Sequence, residues 1–239
     1  MKLIQYRMSF FYKHRVALGF ACLLLAVAVT FAFCFFALSK AAAQSLRLTV
    51  VIDAGHGGVD GGVTGTVTGT KESDINLSIS RLLQQEFEDL GFYVVQTRPT
   101  EAGLYGVATP GYKRRDMEKR AEIIKKNSPA VVISVHQNFF SQTSRRGAQV
   151  FFREDVKESV NLARLIQTSL NSMPECVKKT EALAGDYFVL NCARVPAVIV
   201  ECGFLSNPAD EELLTQKSYQ EKLVKAIAEG ALAFLSTAA

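Results

Sequence analysis

The chain has 239 residues, 49% of them hydrophobic, with a mean hydropathy of +0.14. That is enough apolar material for one sizeable core and too little length for a second large domain. The formal net charge is +4, but Lys2, Arg7, Lys13, Arg15 and Lys40 all fall within residues 1–45, where there is no acid. Without those five, 22 basic groups face 23 acidic ones, a net of −1, which excludes a broadly basic nucleic-acid surface.

Val16 to Leu38 is a run of 23 uncharged, mostly apolar residues. At about 1.5 Å per residue such a helix reaches across a bilayer core of about 30 Å. The basic residues ahead of it favour a cytoplasmic N-terminus and an exported remainder. The run is longer than an ordinary signal-peptide core of about 7–15 residues, yet Ala41-Ala42-Ala43 offers a small-x-small cleavage site. Residues 1–45 are therefore expected to be a signal peptide or a transmembrane signal anchor. Residues 46–239 are expected to be the working domain, either membrane-anchored and facing outward or secreted.

Within that domain, Leu46–Asp53 reads as a strand, followed by a Gly/Thr-rich flexible loop over Gly57–Thr70. Ile75, Ile79, Leu82, Leu83 and Phe87 recur at helical spacing over Asp74–Leu90, and Gly91 stops that helix. Phe92–Thr97 is the next strand. A second loop, Tyr105–Tyr112, leads into a charged helix over Lys113–Lys126. Ala130–Val135 and Ala148–Phe152 read as strands, Val156–Leu170 as a helix, and Tyr187–Leu190 as a short strand. Ala197–Cys202 is a central strand by composition, and Pro208 to Leu235 holds one or two closing helices. Strands alternating with helices predict a single three-layer α/β domain with a mostly parallel sheet and helices on both faces. Cys176, Cys192 and Cys202 are an odd set with no C-x-x-C pair, so either three thiols or one Cys176–Cys192 disulfide fits the pattern.

Only two histidines lie beyond the apolar segment, and each closes an apolar strand: His56 after LTVVIDAG and His136 after PAVVISV. In such folds ligands bind beyond the carboxyl ends of strands. Glycines around His56 permit unusual backbone angles and close approach, but the string lacks both the phosphate-loop and the dinucleotide fingerprints. Glu72 precedes a helix, where it either complements the positive helix terminus or joins the two histidines as a third zinc ligand. Zinc acidifies water and polarises carbonyls. Glu201 ends the strand over Ala197–Cys202, and a charge there needs a partner. It is read either as an ion pair with Arg194 or Arg98, or as a general base.

Four strings carry a more specific resemblance: VIDAGHGGVDGG over 51–62, KESDINL over 71–77, SVHQN over 134–138 and VECGFLSN over 200–207. In this order they resemble zinc-dependent N-acetylmuramoyl-L-alanine amidases of the amidase-3 type. The resemblance implies a single α/β domain with a mixed, mainly parallel sheet flanked by helices, in which His56, Glu72 and His136 bind one Zn2+ and Glu201 is the catalytic glutamate. Asn138 and Arg98 match further positions, Arg98 with a structural alternative. The implied reaction is hydrolysis of the amide between the lactyl group of N-acetylmuramic acid and L-alanine in peptidoglycan. The short architecture and the stretch GYKRRDMEKR over 111–120 resemble the germination-specific amidases of spore-forming Firmicutes. That subgroup implies cortex maturation toward muramic-δ-lactam in the space around the developing spore. No cell-wall-binding repeat follows the domain, so substrate affinity is expected from the domain itself or from an activating partner protein. The alternatives are another zinc hydrolase such as a carboxypeptidase or deacetylase, a nonenzymatic wall-binding protein, and a nucleotide-binding protein.

Overall fold

The β-branched runs pair into one six-stranded sheet. In the computed structural model, which describes residues 25–36, 47–192 and 194–238, the strands are β1 (Thr49–Ala54), β2 (Tyr93–Gln96), β3 (Val131–Asn138), β4 (Gln149–Phe152), β5 (Leu183–Ala184) and β6 (Ala197–Phe204). Their order is β2-β1-β3-β6-β4-β5. β2, β1, β3 and β6 run parallel, while β4 is antiparallel to β6 and parallel to β5. The sheet is mainly parallel, as the pattern predicts, and mixed, as the resemblance implies. The helices are α1 (residues 25–36), α2 (Glu72–Asp89), α3 (Tyr112–Asn127), α4 (Lys157–Asn171), α5 (Phe188–Asn191), α6 (Pro208–Leu214) and α7 (Lys217–Ala238). α1 belongs to a separate unit, Met1–Arg47, and the sheet to Leu48–Ala239.

Alternation along each central strand divides its side chains between the two faces. Val50, Ile52, Ile133, Val135, Val198 and Val200 lie under α2, α4 and α7 in one large apolar cluster. Val51, Val132, Ala197 and Ile199 form a smaller cluster with Ile124 of α3 and Val189 and Leu190 of α5. Both faces are therefore covered, as a parallel sheet requires, but the second cover is thinner. β1 continues to β2 on one side while β3 lies on its other side. The chain thus reverses its direction of travel between β1 and β3, and crevices open beyond strand ends at such switch points.

A buried ionic network sits beneath that crevice. Asp53, at the end of β1, accepts hydrogen bonds from Thr97 Oγ1 (2.5 Å), Ser134 Oγ (2.6 Å) and Arg120 Nη1 (2.6 Å). Arg120 reaches in from α3 and also donates to Asp116 Oδ2 (2.6 Å), the Ala54 carbonyl (2.7 Å) and the His56 carbonyl (2.6 Å). The guanidinium thus ties α3 to β1 and to the turn carrying His56.

Several expectations need correction. The bilayer-spanning helix over 16–38 is not what the structure shows. Residues 25–36 are helical, and the rest of that run, with the Ala43 cleavage position, lies outside the described residues. Among the described residues no helix is long and apolar enough to cross a membrane, which overturns the transmembrane and membrane-anchored reading. Tyr187–Leu190 contains the start of a helical turn, α5, rather than a strand. A four-residue apolar run has no period to separate the two, and the edge position is taken by Leu183–Ala184. Cys176 and Cys192 are both free thiols. The Gly57–Thr70 loop is pinned rather than flexible: Glu211 of α6 accepts from the Val67 amide (2.9 Å), the Thr68 amide (2.7 Å) and Thr68 Oγ1 (2.7 Å).

The Asp53 network sets a stability prediction. Burial pushes the Asp53 pKa up, but the Arg120 charge and the Ser134 and Thr97 hydroxyls outweigh it and hold the group at about 2, below its ordinary 3.8. A depressed carboxylate contributes stability that is present above about pH 4 and lost as pH falls through about 2, here roughly 2 kcal/mol. Asp53→Asn removes the more deeply buried of the two carboxylates paired with Arg120, leaving Asp116, and is expected to cost up to about 3–5 kcal/mol at neutral pH. Urea melts of zinc-free protein at pH 6 and pH 2.5 check both. The wild type should lose more stability on acidification than the variant, whereas parallel losses would contradict the role given to Asp53.

Candidate metal centre and active site

Three elements deliver three side chains to one point beyond the switch between β1 and β3. His56 follows β1, Glu72 is the first residue of α2, and His136 lies near the end of β3. His56 Nε2 is 3.2 Å from Glu72 Oε2, and His136 Nδ1 is 2.9 Å from Glu72 Oε1. The rings meet edge-on with centroids 5.1 Å apart. One ligand atom from each residue falls within 4.8 Å of the others, an arrangement that can hold one metal ion. Zinc ligands at about 2.0–2.1 Å in tetrahedral array stand roughly 3.3 Å apart. The two nitrogen–carboxylate separations match that spacing, and two imidazoles with one carboxylate are a donor set zinc accepts in catalytic sites.

The local sequence makes this convergence possible. His56 has φ of 61°, and only Ser128 shares a positive φ among described non-glycine residues. Such a conformation stores about 1–3 kcal/mol of strain and persists where surrounding contacts enforce it. Here Arg120 holds the His56 carbonyl, and Arg98 Nη2 (3.1 Å) and Asn76 Nδ2 (3.1 Å) hold that of Gly55. Gly55 has no alternative on steric grounds, since a Cβ there would lie 2.3 Å from the His136 ring. At Gly62, φ is 69° and a Cβ would lie 2.4 Å from Glu72 Oε2.

Glu72 is almost fully buried and richly bonded. Oε1 accepts from the Gln137 amide (3.1 Å) and Asn76 Nδ2 (3.3 Å), and Oε2 accepts from the Val63 amide (2.9 Å). Burial opposes its ionisation, but His136 and His56 outweigh burial and hold its pKa far below the usual carboxylate range. The converse holds for His56, where burial is outweighed by Glu72 and Asp60 and the pKa rises.

Glu201 is opposite His136 in the parallel register of β3 and β6. Its Oε2 is buried without a hydrogen-bond partner, and burial, reinforced by Glu72, pushes its pKa up to about 7 against the pull of both histidines. Among the described residues no arginine pairs with it. Arg98 spends its guanidinium on the carbonyls of Ala54, Thr100, Gly55 and Ser73, which is its structural alternative. Asn138 stands apart from the cluster: its Oδ1 accepts from the Phe139 amide (2.8 Å) and caps the loop after β3. His56, His136 and Glu201 open into a cavity of about 280 Å3, with Tyr112 and Met117 of α3 and Phe188 of α5 along its walls.

Sequence reasoning missed Asp60, whose Oδ2 lies 3.1 Å from His56 Nδ1, and the Asp53–Arg120–Asp116 network. Asp53 carried a signal, being an acid at the end of an apolar strand that must find a partner. Arg120 carried none, because it stands among Arg114, Arg115 and Lys119 on one charged helix.

Comparison with known proteins agrees with this geometry. The family model for N-acetylmuramoyl-L-alanine amidases of the amidase-3 type matches residues 50–233. The germination-specific N-acetylmuramoyl-L-alanine amidase of Bacillus subtilis is 30% identical over 191 residues, 78% of this chain and 79% of that protein. The CwlD amidase from Clostridioides difficile, solved in complex with the GerS lipoprotein, is 35% identical with a TM-score of 0.77, covering 80% of this chain and all of that one. An N-acetylmuramoyl-L-alanine amidase from Clostridium difficile 630 is 26% identical with a TM-score of 0.72, over 81% of this chain and 99% of that one. The chain belongs to the amidase-3 family of N-acetylmuramoyl-L-alanine amidases, and is a zinc-dependent enzyme that hydrolyses an amide bond of peptidoglycan.

Proposed function

We propose that His56, Glu72 and His136 bind the zinc ion, that Glu201 is the catalytic base, and that the bond cut joins the lactyl group of N-acetylmuramic acid to L-alanine. The observation that carries the reading is the meeting of this donor set with an unpartnered buried carboxylate in one cavity. Zinc, when bound, supplies Lewis acidity to the amide carbonyl and acidifies water. Glu201 takes the proton from the attacking water at Oε2 and returns it to the leaving amine of L-alanine. Its place beside His136 sets it within reach of anything held at the cluster. Glu72, already ionised and fixed by three amide donors, needs no rearrangement to serve as a ligand.

The substrate is the stem-peptide-bearing glycan strand, and the biological setting we propose is spore cortex maturation toward muramic-δ-lactam. The germination-specific relative in Bacillus subtilis supports that setting. The relative solved with a lipoprotein supports a partner protein for this chain.

Two variants separate the roles. Glu201→Gln should keep one zinc per chain and lose about 10²–10⁴-fold in turnover. Activity within a few-fold of wild type would remove Glu201 from the mechanism. His136→Ala should lose bound zinc, measured by atomic absorption after dialysis, together with activity; full zinc retention would contradict its assignment. Mass spectrometry of digested cortex peptidoglycan reads the bond itself. Lactyl carboxylates and new L-alanine amino termini are expected, while released acetate or shortened stem peptides would indicate a deacetylase or a carboxypeptidase.

A further inference from the structure

Asp60 has no part in the chemistry above, yet among the described residues it is the one carboxylate besides Glu72 in ion-pair range of His56. The two ring nitrogens face different groups. Nε2 points to Glu72, while Nδ1 lies 3.1 Å from Asp60 Oδ2. A neutral imidazole that offers one nitrogen to a metal carries its proton on the other, and a carboxylate there fixes both tautomer and ring orientation.

We propose that Asp60 is the positioning residue of the metal centre, accepting the Nδ1 proton of His56 so that Nε2 is presented toward Glu72 and His136. The inference rests on the zinc site proposed above.

His56 needs such a partner. Its side chain is about a quarter exposed, it follows a strand rather than lying within one, and its backbone is in the left-handed region. Among the described residues its ring meets that of His136 edge-on, and Glu72 faces its Nε2 alone, so the Nδ1 side is where a second contact orients the ring. Nδ1 is buried and makes no well-aligned hydrogen bond, so the 3.1 Å contact with Asp60 is in donor–acceptor range but off the line of the N–H. A modest turn of either side chain closes it.

Asp60 is itself held in place. Its backbone pairs with Gly57 in both directions, Gly57 N to Asp60 O at 2.8 Å and Asp60 N to Gly57 O at 3.2 Å. This closes the turn that folds the carboxylate back over His56. Lys113 Nζ of α3 stands 3.6 Å from the other oxygen, Oδ1, which leaves Oδ2 to the imidazole.

The test is zinc affinity, measured by competition with a chromophoric chelator on the full chain, for wild type, Asp60→Ala, Asp60→Asn and His56→Ala. Urea melts of the zinc-free proteins accompany it. Asp60→Ala should bind zinc about 10–100-fold more weakly with its zinc-free stability unchanged, and Asp60→Asn, which keeps an acceptor oxygen, should recover most of that loss. Wild-type affinity in Asp60→Ala overturns the inference. So does a loss matched by an equal fall in zinc-free stability, which would mean that Asp60 only shapes the turn. His56→Ala reads the underlying site separately: if it binds zinc as tightly as wild type, the metal assignment fails, and the positioning role fails with it.

Discussion

The structure turns on the carboxylate of Glu72. A buried charge is unfavourable unless its lone pairs are satisfied, and here both oxygens are. The Val63 amide of the glycine-rich loop, the Gln137 amide of β3, the Asn76 side chain and two imidazoles converge on it. Each donor comes from a different part of the chain, so satisfying this one anion brings together the end of β1, the start of α2, the end of β3 and the glycine-rich loop. Its location at the first turn of α2 adds the favourable field of the helix terminus. The loop and the proposed ligands are therefore held by the same carboxylate.

A second charged cluster lies directly below and has a different task. Asp53, Arg120 and Asp116 touch none of the proposed ligand atoms, but Arg120 holds the carbonyl of His56 and so supports its left-handed backbone from beneath. The paired roles are separable. Glu72 gathers the ligand side chains, and Arg120 fixes the main chain from which one of them projects. The thin cover on this face of the sheet, α3 and one turn of α5, leaves the strand ends open to substrate.

Much of this was legible in the sequence, and the reasons are physical. The near-continuous apolar strands and 3.6-period helices made the layered fold legible, because every central strand is buried on both faces. His56, Glu72, His136 and Glu201 stood out because each is a polar group at the edge of an apolar element. Elements too short to show a period were misread, as at Phe188–Asn191. The loop over Gly57–Thr70 looked unrestrained because its anchor, Glu211, is more than 140 residues away. Long-range partners of this kind, Arg120 for Asp53 as much as Glu211 for Thr68, leave no mark on local composition. The apolar run over 16–38 had the length of a membrane span by count, but its described part is a helix of residues 25–36 alone.

The central claim is that the proposed ligands His56, Glu72 and His136 hold the catalytic zinc. X-ray absorption at the zinc edge, on protein loaded with one equivalent of metal, tests it most directly. The account predicts a shell of nitrogen and oxygen only, at about 2.0–2.1 Å, with the outer scattering of two imidazoles. A sulfur shell at about 2.3 Å, which would place the metal on a cysteine such as Cys202, or the absence of imidazole scattering, would contradict it.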